Sequence, residues 1–149
     1  MWSHCETGVG SDERQTELEV GFVTRFLSAT PDAIAPDGSE VRLLAASPRG
    51  SMAQFRLAPG CVSIAVVHRS VEEIWCFTAG QGRLWRKLGA HEDVTDVRAG
   101  VSIAIPVGAQ FQFRNESDTA LEAIGVTMPP WPGSDEAMPV NGIWDVVLP

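Results

Sequence analysis

From Gly21 onward the chain alternates short apolar or apolar/polar runs with clusters of turn residues. The runs fall at 22–28, 41–46, 51–57, 62–67, 73–78, 83–88, 94–97, 101–105, 110–114 and 120–127, and Val, Ile, Phe and Trp recur in them. The breaks between them are Pro36-Asp37-Gly38, Pro48-Arg49-Gly50, Pro59-Gly60, Gly80-Gln81-Gly82, Gly89, Gly100, Pro106-Val107-Gly108 and Asn115 to Asp118. Turn signals this frequent predict an all-β sandwich or barrel, each run being a strand. No window in this region carries a 3.6-residue apolar period, so helices are not expected there. Gly80-Gln81-Gly82 reads as a hairpin turn.

The pattern changes at both ends. Residues 1–20 are rich in Ser, Gly, Glu and Asp and lack periodicity, which predicts a mobile polar tail ahead of a barrel at 21–128. Met128-Pro129-Pro130-Trp131-Pro132-Gly133 cannot form a central strand, because proline has no N–H to donate. An extended, polyproline-like path is expected there. Ser134-Asp135-Glu136 has the composition of one helical turn with Ser134 as its cap. The extension at 129–149 ends in Ile143, Trp144, Val146, Val147 and Leu148. So much apolar surface must pack, either over the barrel's end or against a second subunit.

The chain has 149 residues, the size of one domain with one sizeable core. Its net charge of −8 repels phosphate backbones, so no nucleic-acid partner is expected. Arg83, Arg86 and Lys87 form a local basic cluster, read either as solvated strand-edge charges or as a contact for an anionic small molecule. No apolar run reaches the ~18–20 residues that span a bilayer, and the first twenty residues lack an export signal pattern. A cytoplasmic protein without a membrane partner is the expectation. Three cysteines, Cys5, Cys61 and Cys76, without paired spacing fit reduced thiols rather than a disulfide framework. Phosphate loops, dinucleotide-binding glycine motifs and a G-x-S-x-G elbow are all missing from the sequence.

Two stretches carry the chemistry. In the first, Gly60 is followed by Val66, His68, Glu73 and Gly80; in the second, Gly100 is followed by Pro106, Gly108, Phe111 and Asn115. This arrangement resembles the two motifs of the cupin superfamily, small β-barrels of jelly-roll type. The first cupin motif reads Gly-x5-His-x-His-x3 to 4-Glu-x6-Gly, and the second Gly-x5-Pro-x-Gly-x2-His-x3-Asn. The turn residues match throughout. The metal ligands do not: Val66 stands where the first His would be and Phe111 where the third would be. The resemblance implies a cupin-type jelly-roll barrel and an ancestral site of three imidazoles and one carboxylate, of which His68 and Glu73 remain. Two protein ligands seldom hold a divalent ion, so the working form is read as metal-free, and iron, manganese or zinc would have only His68 and Glu73.

In the cupin register Val62, Ile64, Val66, His68, Glu73, Trp75, Phe77, Phe111 and Phe113 point inward, following the period-2 alternation. The expected interior is an apolar chamber with one imidazole and one carboxylate. Such a pair suits proton transfer on a small, partly apolar organic molecule, with Val66, Trp75, Phe77, Phe111 and Phe113 around it. Gln54, Arg56 and Arg86 are candidates for the barrel mouth, where they would orient a carbonyl or carboxylate. Three functions follow: a metal-independent isomerase, dehydratase or lyase using His68 and Glu73; a non-catalytic sensor or carrier of a small metabolite; or an enzyme weakly dependent on a metal. A fourth reading makes His68 and Glu73 a hydrogen-bonded structural pair. The apolar C-terminal segment with Trp131 and Trp144 suggests a homodimer.

Overall fold

The computed structural model describes residues 21–149, so the expectations placed on 1–20, Cys5 included, lie outside the described residues. Eleven strands form two antiparallel sheets among these residues: β1 Ala33–Ile34, β2 Glu40–Ser47, β3 Gly50–Leu57, β4 Val66–His68, β5 Glu72–Ala79, β6 Gln81–Leu88, β7 His91–Arg98, β8 Ser102–Ile105, β9 Gln110–Asn115, β10 Leu121–Met128 and β11 Ala137–Pro139. The first sheet has the order β1-β2-β3-β10-β5-β8 and the second β11-β4-β9-β6-β7. Strands far apart in sequence are neighbours, as a jelly roll requires.

The core sits between the sheets. Alternate residues of each strand supply it, as in β5, where Glu73, Trp75 and Phe77 are buried and Glu72, Ile74 and Cys76 are not. Leu57, Leu84, Ile105, Phe111, Phe113 and Leu121 complete its centre, each at most 2% exposed. Trp75 is the hub. Its ring stacks on Phe55 at 5.0 Å and meets the edges of Phe111, Phe113 and Phe77 at 5.8, 5.3 and 6.1 Å. Aromatic pairs of this geometry add about 0.5–1.5 kcal/mol each beyond the area they bury.

Several local expectations are corrected. The run at 22–28 forms no strand and joins no sheet. The run at 62–67 forms a strand only from Val66, with Val62 bridging separately to Arg114 and Val147. Gly80 is not part of a hairpin turn: β5 and β6 belong to different sheets, and Gly80, at φ +78°, is the single residue at the corner. Ser134–Glu136 is one 3₁₀ turn, but its cap residue is Gly133 and Ser134 makes no capping bond. Strand β11 follows it directly, at the edge of the second sheet, where no strand was expected, while the proline run at 129–133 itself joins no strand.

The C-terminal segment covers its own barrel. Gln112 of β9 holds it: Nε2 donates to the Ser63 and Trp144 carbonyls, and Oε1 accepts from the Ile143 and Trp144 N–H groups, all at 2.9–3.1 Å. The Trp144 ring lies under the guanidinium groups of Arg83 and Arg114, at 5.7 and 5.5 Å. Trp144 is therefore packed within its own chain, over the barrel, the first of the two placements expected of this segment. No helix among the described residues is long and apolar enough to cross a membrane.

Candidate functional site

Four strands and a loop converge at one end of the barrel. Strand β4 ends in His68, which is 4% exposed, and Glu73, which is 3% exposed, is the second residue of β5. Arg69, Ser70 and Val71 connect the two strands, and the Ser70 and Val71 N–H groups donate to the Glu136 carboxylate at 2.6 and 2.7 Å. The Ser70 hydroxyl donates to the same carboxylate at 2.9 Å. Burial by itself would raise the Glu136 pKa, but these hydrogen bonds and nearby His68 outweigh it and hold the carboxyl below the usual range. Strand β11 then sets Ala137 opposite His68.

On the inner face, Ser51, Thr127, Glu73 and Ile105 form one cross-strand row through β3, β10, β5 and β8. The Ser51 and Thr127 hydroxyls bond to each other, and Ser51 Oγ accepts the Trp131 N–H at 2.9 Å. That anchor sets the Trp131 ring edge-on to the His68 imidazole at 5.3 Å, and Phe111 meets the imidazole from another side at 5.2 Å. The imidazole is thus walled by two aromatic rings.

His68 Nδ1 lies 3.9 Å from Glu73 Oε1. This is within ion-pair reach but too long for a hydrogen bond. Nδ1 is buried and has no hydrogen-bond partner. The other carboxyl oxygen, Oε2, accepts the Trp75 indole N–H in a short bond. Burial pushes the Glu73 pKa up to about 8, moderated by the Trp75 bond and reinforced by the Asp37 carboxylate. Burial pushes His68 down to about 4, and Glu136 opposes that shift. Near neutral pH both groups are uncharged, so their proximity does not make them an ion pair. The arrangement offers a neutral imidazole and a protonated carboxyl side by side, a base and an acid in a dry setting.

No family model matches the chain, and no curated protein sequence does. Solved structures do match. A Klebsiella pneumoniae protein with a double-stranded β-helix domain superposes with a TM-score of 0.61 at 14% identity, over 80% of this chain and 100% of that one. The Drosophila melanogaster CENP-C domain gives 0.56 at 14% identity, over 61% of this chain and 67% of that one. A deletion mutant of Bacillus subtilis oxalate decarboxylase gives 0.62 at 16% identity, over 74% of this chain and 30% of that one. The fold is that of the cupins. At these identities the likeness extends to the cupin barrel and no further, and this chain spans less than a third of the decarboxylase.

Oxalate decarboxylase carries Mn(II) centres. The His68 end of this barrel offers an ion few donors. Among the described residues no group of three or more His, Cys, Asp or Glu side chains could hold a metal. Val66 and Phe111, paired across β4 and β9, close the wall with hydrocarbon. Glu73 spends one oxygen on Trp75.

Of the expected site residues, the structure gathers His68, Glu73, Val66, Trp75, Phe77, Phe111 and Phe113 inside the cupin barrel, all at most 4% exposed. The expected open chamber is replaced by packed rings. Gln54 and Arg56 leave the candidate set. Both point to the outer face of β3, opposite in parity to Phe55 and Leu57, where Gln54 lies beside Arg42 and Ile124, and Arg56 pairs with Glu122. Arg86 has inward parity, but its donors are taken by Asp93, Thr95 and the Ala104 carbonyl, closing the seam between β6 and β8.

Sequence reasoning missed Glu136, Thr127, Ser51, Gly125 and Asp37, and it assigned Trp131 to subunit contacts. A Cβ on Gly125 would stand 2.6 Å from Phe55 and 2.9 Å from Trp75, so this glycine makes the space that the indole fills. Glycine inside a β-branched run is a known sign of close approach and could have flagged it. Asp37, buried and bonded to Ser39, carried no signal beyond a turn.

Two clefts open elsewhere on the outside. One of about 520 Å³ is lined by Gln110, Pro139, Val140 and Asn141. The other, of about 410 Å³, lies along the C-terminal segment by Arg114 and Trp144. Neither is lined by His68 or Glu73.

Proposed function

We propose that this cupin-fold protein binds a small, neutral, partly apolar molecule at the barrel end. The ligand inserts a hydroxyl or carbonyl oxygen between His68 and Glu73, and the pair transfers a proton on it, as an isomerase, dehydratase or lyase would. The observation that carries this reading is the buried His68 Nδ1 without a partner, 3.9 Å from a carboxyl oxygen. Buried polar atoms are nearly always satisfied, and an exception calls for a missing partner. A ligand oxygen within reach of both groups supplies it. His68 is the base and Glu73 the acid, since the first is unprotonated above about pH 4 and the second protonated below about pH 8. Half-exposed Trp131 walls the His68 ring toward solvent, so binding displaces it.

The test is a ligand screen of small hydroxy and keto compounds by tryptophan fluorescence, followed by product detection with mass spectrometry. Turnover should be flat between the two pKa values, falling below about 4 and above about 8. His68→Ala and Glu73→Gln should each abolish it. Turnover that survives both substitutions refutes the mechanism.

A second reading is favoured by the tight packing of Trp75 against four aromatic rings. It makes the protein a non-catalytic sensor or carrier, in which displacement of Trp131 is the output. Saturable quenching without product supports it.

A further inference from the structure

Thr127 is the cross-strand neighbour of Glu73 on the inner face, where β10 pairs with β5, and both side chains are buried, at 5% and 3% exposure. Residues opposite each other on paired strands have Cβ atoms ~4.5–5.5 Å apart, so the Thr127 hydroxyl and the Glu73 carboxyl face the same space. Ser51 continues the row on β3, and Ile105 closes it on β8. Beside that space stand the His68 imidazole and, edge-on to it at 5.3 Å, the Trp131 ring. A hydroxyl buried in an otherwise apolar wall is costly unless it has partners.

The bonds around Thr127 fix which way its proton points. The Trp131 N–H donates to Ser51 Oγ at 2.9 Å. The Ser51 and Thr127 hydroxyls bond to each other, and the Thr127 hydroxyl also reaches the Ser51 carbonyl at 3.3 Å. Each hydroxyl has one proton and two lone pairs. One assignment gives both protons an acceptor: Thr127 donates to the Ser51 carbonyl, and Ser51 donates to Thr127 Oγ1. The reverse, with Thr127 donating to Ser51 Oγ, leaves the Ser51 proton without an acceptor among the described residues. In the satisfied assignment Thr127 Oγ1 has given its proton and filled one lone pair, so what it presents is an acceptor only. Next to it, Glu73 Oε1 lies 3.9 Å from His68 Nδ1, and Oε2 is taken by the Trp75 N–H.

We propose that Thr127 is a specificity-determining residue of this site: it accepts a ligand hydroxyl, and the substrate class is neutral hydroxy ketones and hydroxy aldehydes with both oxygens on adjacent carbons. The inference rests on the His68–Glu73 reading above and narrows it. One ligand oxygen lies between His68 and Glu73, and the hydroxyl on the next carbon donates to Thr127 Oγ1. Hydrogen bonds from residues ~5 Å apart converge, which suits oxygens held by neighbouring carbons. A carboxylate, ether or second ketone in the hydroxyl's place would set lone pair against lone pair. Trp131 belongs to the same arrangement, because its N–H occupies Ser51 Oγ and so keeps the Ser51 proton on Thr127. The carbon end of the ligand meets Ile105 and the Phe111 ring, both at most 1% exposed.

NMR titration of the full chain tests this with three probes of similar size: hydroxyacetone; butanone, in which a methyl group replaces the hydroxyl; and methoxyacetone, whose ether oxygen accepts but cannot donate. Shifts of the His68 and Trp131 ring signals give the dissociation constants. Hydroxyacetone should bind about fivefold more tightly than either of the others, the effect of one buried hydrogen bond. Near-isosteric Thr127→Val should bring hydroxyacetone down to the level of butanone and leave butanone unchanged, while Thr127→Ser keeps the preference; circular dichroism checks that both fold. The probe comparison on the parent needs no variant. Equal affinity of the parent for all three probes overturns the proposal and leaves the His68–Glu73 reading standing. So does a preference for hydroxyacetone that survives Thr127→Val, since another group would then receive the hydroxyl. Methoxyacetone binding as tightly as hydroxyacetone overturns the acceptor assignment and the proposal with it. If no probe moves these signals, or if all bind equally well to His68→Ala, the reading of the site falls and takes this proposal with it.

Discussion

Between pH 4.5 and 8 Glu73 is charged in the unfolded chain and protonated in the fold. The native state binds the extra proton there, so this residue makes stability fall as pH rises through that window. His68 acts in the opposite sense. Its native pKa of about 4 lies below the ordinary 6.5, so the unfolded chain binds the extra proton and stability rises between those values. The two effects offset each other up to about pH 6.5, and above it Glu73 acts alone. Glu73→Gln keeps an acceptor for the Trp75 N–H and cannot ionise. In thermal unfolding it should match the parent below about pH 4.5 and exceed it by several degrees at pH 8.5, a difference of a few kcal/mol at most. Equal melting curves at pH 8.5 would place the Glu73 pKa near its ordinary value. Gly125 makes a different prediction. Its missing side chain is the space occupied by Phe55 and Trp75, so Gly125→Ala should cost about 1–3 kcal/mol by overpacking, read as a lower denaturation midpoint at unchanged slope.

Among the elements, the C-terminal segment depends on a few side chains beyond the short β11 ladder. Glu136 satisfies the Ser70 and Val71 N–H groups that no strand reaches, and Gln112 answers four backbone groups of Ser63, Ile143 and Trp144. Glu136→Ala leaves the buried Val71 N–H unpaired and frees the exposed Ser70 N–H, a loss of roughly 1–3 kcal/mol. It should also loosen Trp131, seen as a shift in tryptophan emission. Gln112→Ala should leave the barrel folded while amide exchange at Ile143, Trp144 and Val147 speeds up by an order of magnitude or more. Unchanged exchange there would mean that the Arg83–Trp144–Arg114 stack and the Val62–Val147 bridge suffice. The turn elements were the part most legible in the sequence. Gly100 and Gly108 take φ of +93° and +80°, which only glycine adopts readily, and Asn115 holds its turn by bonds to Leu57, Thr119 and Ser117. Strands β1 and β11 were not legible. They are two and three residues long, and their pairing comes from distant partners rather than from an alternating pattern.

For the whole molecule, deletion of residues 140–149 tests where the C-terminal segment packs. It covers its own barrel, so its loss should lower the melting temperature. A deletion variant as stable as the parent but sedimenting more slowly would place the segment against a second subunit instead. By itself the sequence determined the all-β class, most strand positions, the cupin-type turns, and the inward alternation that brings His68 and Glu73 beside Trp75, Phe111 and Phe113. These features are local: they follow from the period-2 pattern and from backbone angles that particular residues accept. Tertiary structure alone decided that the expected chamber is filled by the Trp75 cluster, since volume depends on which rings meet and on the gap left by Gly125. It decided that Gln54 and Arg56 face outward, because pairing with β10 sets Phe55 and Leu57 opposite Ala123 and Leu121 on the core side. It also brought Trp131 and Glu136 to His68, residues more than sixty positions along the chain, through a return path that no short window of sequence contains.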